Sequence, residues 1–204
     1  DMERLFDNKV FLEVFVKVMN ELQGFIGNQG YIAQFEHDLA SHGQFDGFKA
    51  TYLAVNGNTW EKDRPALATV TRAAFGKAYA KHFAVPEAEA YSVLKQVRDT
   101  YRVSIESFAQ RVKAYIDTQP PGFRLNFFVD EVGQFIGQDS KRMLNLQTVA
   151  ETLATVCHGR AWVIVTSQAN LESIIGSFRN MEAQDISKIK GRFKPRTTDS
   201  RHAR

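Results

Sequence analysis

The sequence predicts an α/β fold in which a large helical region precedes a small parallel sheet. Three observations carry this reading: apolar residues recur every three or four positions through most of residues 5–116, two short apolar runs at 123–129 and 161–165 break that period, and a further helical pattern lies between the runs. At 204 residues, with 44% hydrophobic and 24% charged side chains, the chain is long enough to bury a sizeable core. Five prolines and thirteen glycines are too few for a disordered or collagen-like chain. The single cysteine, Cys157, excludes an internal disulfide and a cysteine-based zinc site, and fits a reducing, cytoplasmic compartment. No run approaches the roughly 18 apolar residues of a membrane span, so no membrane association is expected.

The elements follow in order. Leu5 or Phe6 through Leu22 form an apolar stripe with Glu13, Lys17 and Glu21 between its members, which predicts a helix. Gly24, Gly27 and Gly30 interrupt it before a short helix over Tyr31–Leu39 that ends near Gly43. Phe45 to Val55 predict another, closed by Asn56-Gly57-Asn58. Pro65 is expected to start a helix running through Leu67, Val70, Ala74, Tyr79 and Phe83 to Pro86. Leu94, Val97, Tyr101, Ile105, Phe108, Val112 and Ile116 then read as one helix of about 30 residues, stopped by Pro120-Pro121-Gly122.

Beyond that stop, Phe123 to Val129 and Ala161 to Val165 read as buried parallel strands. Between them Leu146, Val149, Leu153 and Val156 predict a helix capped near Asp139 or Ser140. The whole is one βαβ unit with the right-handed crossover such units adopt. Asn170 is expected to cap a helix bearing Leu171 to Phe178, and a shorter helix follows over Ala183–Ile189. The expected organisation is a mainly helical region or insertion at 1–122, a sheet-bearing core at 123–196 and a frayed tail at 197–204.

Chemistry concentrates at the strand ends. LNFFVDEVG, residues 125–133, resembles the Walker B motif of a P-loop ATPase, where an apolar strand delivers two acids to the ligand-facing edge of a parallel sheet. That likeness assigns Asp130 to a Mg²⁺ ion through water, and Glu131 to polarising the water that attacks the γ-phosphate. The plainer alternative makes both acids a wet strand end. AWVIVTSQ, residues 161–168, resembles the sensor-1 strand of AAA+ ATPases, so Thr166, Ser167 or Gln168, with Ser167 and Gln168 first, is expected to contact the attacking water or the γ-phosphate. The alternative for these residues is closure of a strand end or capping of the next helix. KGRFKPR, residues 190–196, resembles the segment that carries an arginine finger, which nominates Arg192 to act on a neighbouring subunit. No GxxxxGK[ST] phosphate loop occurs; Gly24 to Gly30 lack its lysine and hydroxyl, and Gly76-Lys77 continues with alanine.

The wider string FRLNFFVDEVGQFIGQDSKRMLNLQTVAETLATVCHGRAWVIVTSQ, with ELQGFIGNQGYIAQFE and DTYRVSIESFAQRVKAYI ahead of it, resembles the large P-loop ATPase family of BREX bacteriophage-resistance systems (the BrxC/PglY family) over nearly all of residues 4–196. The resemblance implies a partial, AAA+-like P-loop NTPase sheet with a helical insertion ahead of Walker B. It also implies a cytoplasmic ATPase subunit that self-associates, works with other BREX proteins and acts on phage DNA. ATP and Mg²⁺ are then the cofactors of a longer parent. This chain, read as a fragment lying downstream of Walker A, is expected to bind neither and to be inactive alone.

A noncatalytic scaffold that binds DNA or protein is the competing expectation. Residues 188–204 hold seven basic side chains against Asp199, a net +6 that leaves the first 187 residues at −3 within an overall +3. Phosphate contacts in that reading fall to Lys188, Lys190, Lys194, Arg196 and Arg201. Most of the sixteen phenylalanines are expected in the core rather than on nucleobases. Cys157 and His158 diverge as helix neighbours and do not form a catalytic pair, and His37 and His42, five apart, match no zinc pattern.

Overall fold

The structure is a computed structural model that describes residues 10–137, 139–169, 171–178 and 183–194. The predicted start of the first helix at Leu5 or Phe6, the Asn170 cap, Arg196, Arg201 and the tail lie outside the described residues. The fold is α/β, mostly helical with a two-stranded parallel sheet among the described residues. Two compact units divide it: a helical unit at 16–102, and a sheet unit formed by the residues before 16 and after 102.

The helical unit contains most of α1 (Val10–Leu22), then α2 (Gly30–Ser41), α3 (Phe45–Asn56), α4 (Trp60–Asp63), a 3₁₀ turn at Arg64–Ala66, α5 (Arg72–Phe83) and α6 (Glu87–Thr100). Short polar side chains and glycine set the ends. Thr59 accepts the Lys62 amide at the head of α4. Gly57 closes α3 in the left-handed conformation, at φ 71°. Pro86 precedes α6, whose first turn carries Glu87 and Glu89 at the positive end of the helix dipole.

The core of this unit is aromatic. Phe35, Phe48, Tyr52, Trp60 and Phe75 are buried, with the Trp60 ring edge-on to Phe48 at 5.2 Å and to Tyr52 at 5.3 Å. One carboxylate is buried among them. Glu36 on α2 accepts the Ile26 amide at 2.7 Å, the Trp60 indole N–H at 2.6 Å and the Arg64 guanidinium at 2.7 Å. A buried charge is tolerable only when paired and hydrogen-bonded, and Glu36 satisfies both conditions while joining three segments. Tyr52 donates to Asp63 at 3.0 Å; burial, reinforced by that acceptor, pushes its phenol well above the ordinary range.

Two expectations fail here for local reasons. Pro65 does not open a long helix. It sits in the 3₁₀ turn, and α5 begins only at Arg72 after a turn that leaves Val70 85% exposed. The 30-residue helix is two helices, α6 and α7 (Ile105–Asp117). Tyr101 leaves helical geometry at ψ 120°, and Ser104 and Ser107 exchange side-chain and backbone hydrogen bonds in a capping box that starts α7 afresh. The apolar spacing continues across the break because both helices bury a face, in different units.

The sheet unit contains α7, β1 (Leu125–Val129), α8 (Val132–Ile136), α9 (Ser140–Val156), β2 (Ala161–Val165), α10 (Leu171–Gly176) and α11 (Ala183–Arg192), together with the start of α1. The strands pair in parallel, from Leu125 opposite Ala161 to Val129 opposite Val165. Asp139 caps α9 by accepting the Lys141 amide at 2.9 Å, as its short acidic side chain predicts. Phe15, Phe108 and Phe127 form one aromatic cluster over the inner sheet face, with Phe15 and Phe127 centroids 5.1 Å apart. Cys157 is buried with its thiol against the Ala109 carbonyl, and burial pushes its pKa up.

The strands are not buried on both faces as their apolar runs predict. Phe128, Ile164 and Trp162 form an exposed outer face, with Phe128 at 73% and Trp162 at 56% exposure. Among the described residues only the inner face is covered by helices of this unit, so the alternation along β1 and β2 is one of burial rather than of polarity.

Replacing Glu36 with alanine strands the Trp60, Ile26 and Arg64 donors and should cost about 3–5 kcal/mol, read by urea unfolding followed by circular dichroism. In the sheet unit, hydrogen bonds from Lys113 and then Arg160 hold the Asp117 carboxyl below its usual range. Its folded pKa is depressed, so its contribution is complete above the ordinary carboxylate pKa and is lost as pH falls through the folded value. The urea midpoints of wild type and Asp117→Asn should therefore differ at pH 6 and converge in strong acid.

Candidate functional site

The parallel register aligns the C-terminal ends of β1 and β2. The pairing continues one step beyond the strands: the Thr166 amide donates to the Val129 carbonyl at 3.0 Å, and the Val132 amide donates back to Thr166 at 3.0 Å. Asp130 and Glu131 are thereby held opposite Thr166, Ser167 and Gln168.

Asp130 accepts, through Oδ1, the Glu131 amide at 3.0 Å and the Thr166 hydroxyl. The Glu131 amide also points to Thr166 Oγ1 at 3.0 Å. Gln168 donates its side-chain amide to Glu131 Oε1 at 2.7 Å, and Gln134 donates to Oε2. Each carboxylate is thus fixed by neutral donors and forms no ion pair with a described cation. Glu131 adopts a left-handed backbone, φ 51° and ψ 36°, and forms the N-cap of α8. For a residue with a Cβ this conformation costs on the order of 1–2 kcal/mol. Strain at a strand end that presents two carboxylates is the kind of outlier from which a functional hypothesis starts.

The predicted residues separate into those the structure gathers and those it does not. Asp130, Glu131, Thr166 and Gln168 form one hydrogen-bonded cluster. Ser167, a first choice on sequence, does not donate to either acid; its hydroxyl lies against Gly133, where a Cβ would come within 2.3 Å of it. Thr166 takes its place because its side chain is the one that reaches back across the extended pairing toward Asp130. Arg192, the last residue of α11, is not in the cluster and pairs with Glu151 of α9 at 2.8 Å. An ion pair this exposed is worth at most about 1 kcal/mol and is readily exchanged. Gln134 was not singled out on sequence. Its signal was the Glu131-x-x-Gln134 spacing, which lets the third residue of a helix return to its cap.

Among the described residues no group of three or more His, Cys, Asp or Glu side chains is placed to hold a metal. The described hydrogen bonds of Asp130 both fall on Oδ1. Of the cations that suggested DNA contact, Lys188 pairs with Asp185 at 3.2 Å and Lys190 with Glu172 at 3.7 Å. Those local pairs reduce the positive field α11 presents. No helix among the described residues is long and apolar enough to cross a membrane.

Compared with known families and solved structures, the chain matches no family model and no solved structure.

Thr166→Val removes both the hydroxyl donated to Asp130 and the acceptor of the Glu131 amide while keeping the side-chain shape. The loss should be about 1 kcal/mol in this exposed setting, measured as a shift in urea midpoint.

Proposed function

We propose that this chain is the Walker B and sensor portion of the ATPase subunit of a bacterial phage-defence system, which couples ATP hydrolysis to action on phage DNA. The observation that carries the reading is the cluster in which Asp130 and Glu131, at the end of β1, are hydrogen-bonded by Thr166 and Gln168 from the end of the parallel strand β2. Open parallel sheets bind ligands at this edge. The resemblance of residues 123–168 to the BREX ATPases supplies the particular class. The exposed apolar outer face of the sheet supports a further covering layer in the longer protein, because parallel sheets ordinarily have both faces covered by helices.

In this reading ATP and Mg²⁺ belong to a longer parent, where Mg-ATP supplies the γ-phosphoryl group. Asp130 would hold a hydrated Mg²⁺ through its carboxylate, and the ion would supply charge neutralisation on the phosphates. Glu131 accepts a proton from the attacking water, and Gln168 and Gln134, donating to one oxygen each, hold the plane of its carboxylate. Thr166 ties Asp130 to the neighbouring strand, so the two acids keep one spacing. Arg192 acts on a neighbouring subunit after exchanging Glu151 for the phosphoryl group. Self-association and other BREX proteins are the partners this scheme requires.

The test is made in a longer protein that contains a GxxxxGK[ST] loop. Glu131→Gln should retain nucleotide binding and lower turnover by about 10²–10⁴-fold. Wild-type turnover in that variant removes Glu131 from the mechanism. At the Asp130–Glu131 edge the chain of 204 residues should bind Mg-nucleotide weakly or not at all, and micromolar affinity by calorimetry that is lost in Asp130→Asn contradicts the fragment reading.

A further inference from the structure

A second concentration of chemistry lies in the helical unit, independent of the sheet. A cavity of about 290 Å³ opens among α2, the turn before α5, and α6. Its floor is Leu67, fully buried, and its walls include Tyr31 of α2, Arg72 at the head of α5, and Tyr91, Lys95 and Arg98 of α6. The spacing of the last three, four and then three residues apart, puts them on one face of α6. Tyr91 comes close because α5 has Gly76 opposite it; a Cβ there would stand 2.5 Å from the phenol oxygen. The Arg72 guanidinium lies over the Tyr91 ring at 4.8 Å.

The charges in this cavity are of one sign. None of its lining residues is acidic. Arg72 and Lys95 make no ion pair with a described residue, and Arg98 meets only its exposed neighbour Asp99 at 3.6 Å. An exposed pair of that length offsets little charge. Arg72 also occupies the first position of α5, the positive end of the helix dipole, where a cation is disfavoured and an anion favoured. Burial raises the Tyr31 pKa, with the Arg98 charge opposing, so its phenol stays protonated at neutral pH and can donate a hydrogen bond. Three cations around one concavity, of which only Arg98 has an acidic neighbour, repel one another, and an anion placed among them removes that cost.

We propose that this cavity binds a small phosphate monoester, with the phosphate among Arg72, Lys95 and Arg98 and the organic body against Leu67 and the Tyr91 ring. Guanidinium groups suit phosphate through their forked donors, and Lys95 adds a point charge. The volume lies at the lower end of small-molecule sites, about 300 Å³, which fits a sugar phosphate or mononucleotide and not a nucleic-acid duplex.

The experiment titrates the full chain with ribose 5-phosphate, AMP and inorganic phosphate in low salt by calorimetry. One of the two esters should bind with submillimolar affinity and inorganic phosphate at least about 10-fold more weakly, because it lacks the organic body. Arg72→Ala and Lys95→Ala should each weaken ester binding by about 10- to 100-fold, the loss of one charge-assisted hydrogen bond. Lys77→Ala, an α5 cation outside the cavity, should leave it unchanged. Both cavity substitutions are at exposed positions, and circular dichroism melts verify that each variant is folded. Absence of ester binding at about 10 mM, equal affinity for inorganic phosphate, or undiminished binding in the folded Arg72 and Lys95 variants overturns the proposal. Affinity that climbs with oligonucleotide length also overturns it, by making the surface a polynucleotide site.

Discussion

The parallel register of β1 and β2 is the constraint on which the candidate site depends. With Val129 opposite Val165, the chain leaves both strands at the same level, and the bonds between Thr166 and the backbone of Val129 and Val132 carry the alignment past the strand ends. A slip of one residue would turn every side chain to the other face, separating Thr166 from Asp130 and Gln168 from Glu131. The strained backbone of Glu131 is accommodated within this same frame, because its amide and both carboxylate oxygens all have partners. Two short strands therefore determine the spacing of four chemically relevant side chains.

The helical unit solves a different problem. Its aromatic core would be satisfied by many arrangements of rings, since apolar contact is non-directional. Glu36 removes much of that freedom, because three donors from separate segments must converge on one carboxylate out of water. The same unit leaves a row of cations facing outward across α5 and α6, so polar groups both organise its interior and line the cavity over Leu67.

Much of this was legible in the sequence. The βαβ order, the Asp139 cap and the limits of β2 follow from apolar runs bounded by turn residues and a short acidic side chain, whereas β1 begins at Leu125, two residues after the apolar run does. The pairing of Asp130 and Glu131 with the Thr166 to Gln168 segment follows from placing both groups just beyond parallel strands. What escaped was local competition and selective burial. Ser104 and Ser107 end one helix and start another inside an unbroken apolar period, because hydrogen-bonding side chains act at a scale periodicity does not register. Pro65 fits a 3₁₀ turn as well as a first helical turn, since both need the same φ. Phe128 and Trp162 read as core because hydrophobicity records what a side chain favours, and the outer face of this sheet does not provide it. The choice of Thr166 over Ser167 depends on which residue faces the neighbouring strand, a geometric detail the polar string TSQ does not encode.

The chain's two tryptophans fall one to each compact unit, Trp60 sealed in the helical core and Trp162 on the open sheet face. Excited together, they emit from unlike surroundings: the first in an apolar, water-free setting that shifts emission to the blue, the second in contact with solvent and accessible to a collisional quencher. Each unit thus carries its own intrinsic optical label, and any difference in the order in which the two lose structure is readable from the shape of a single emission spectrum.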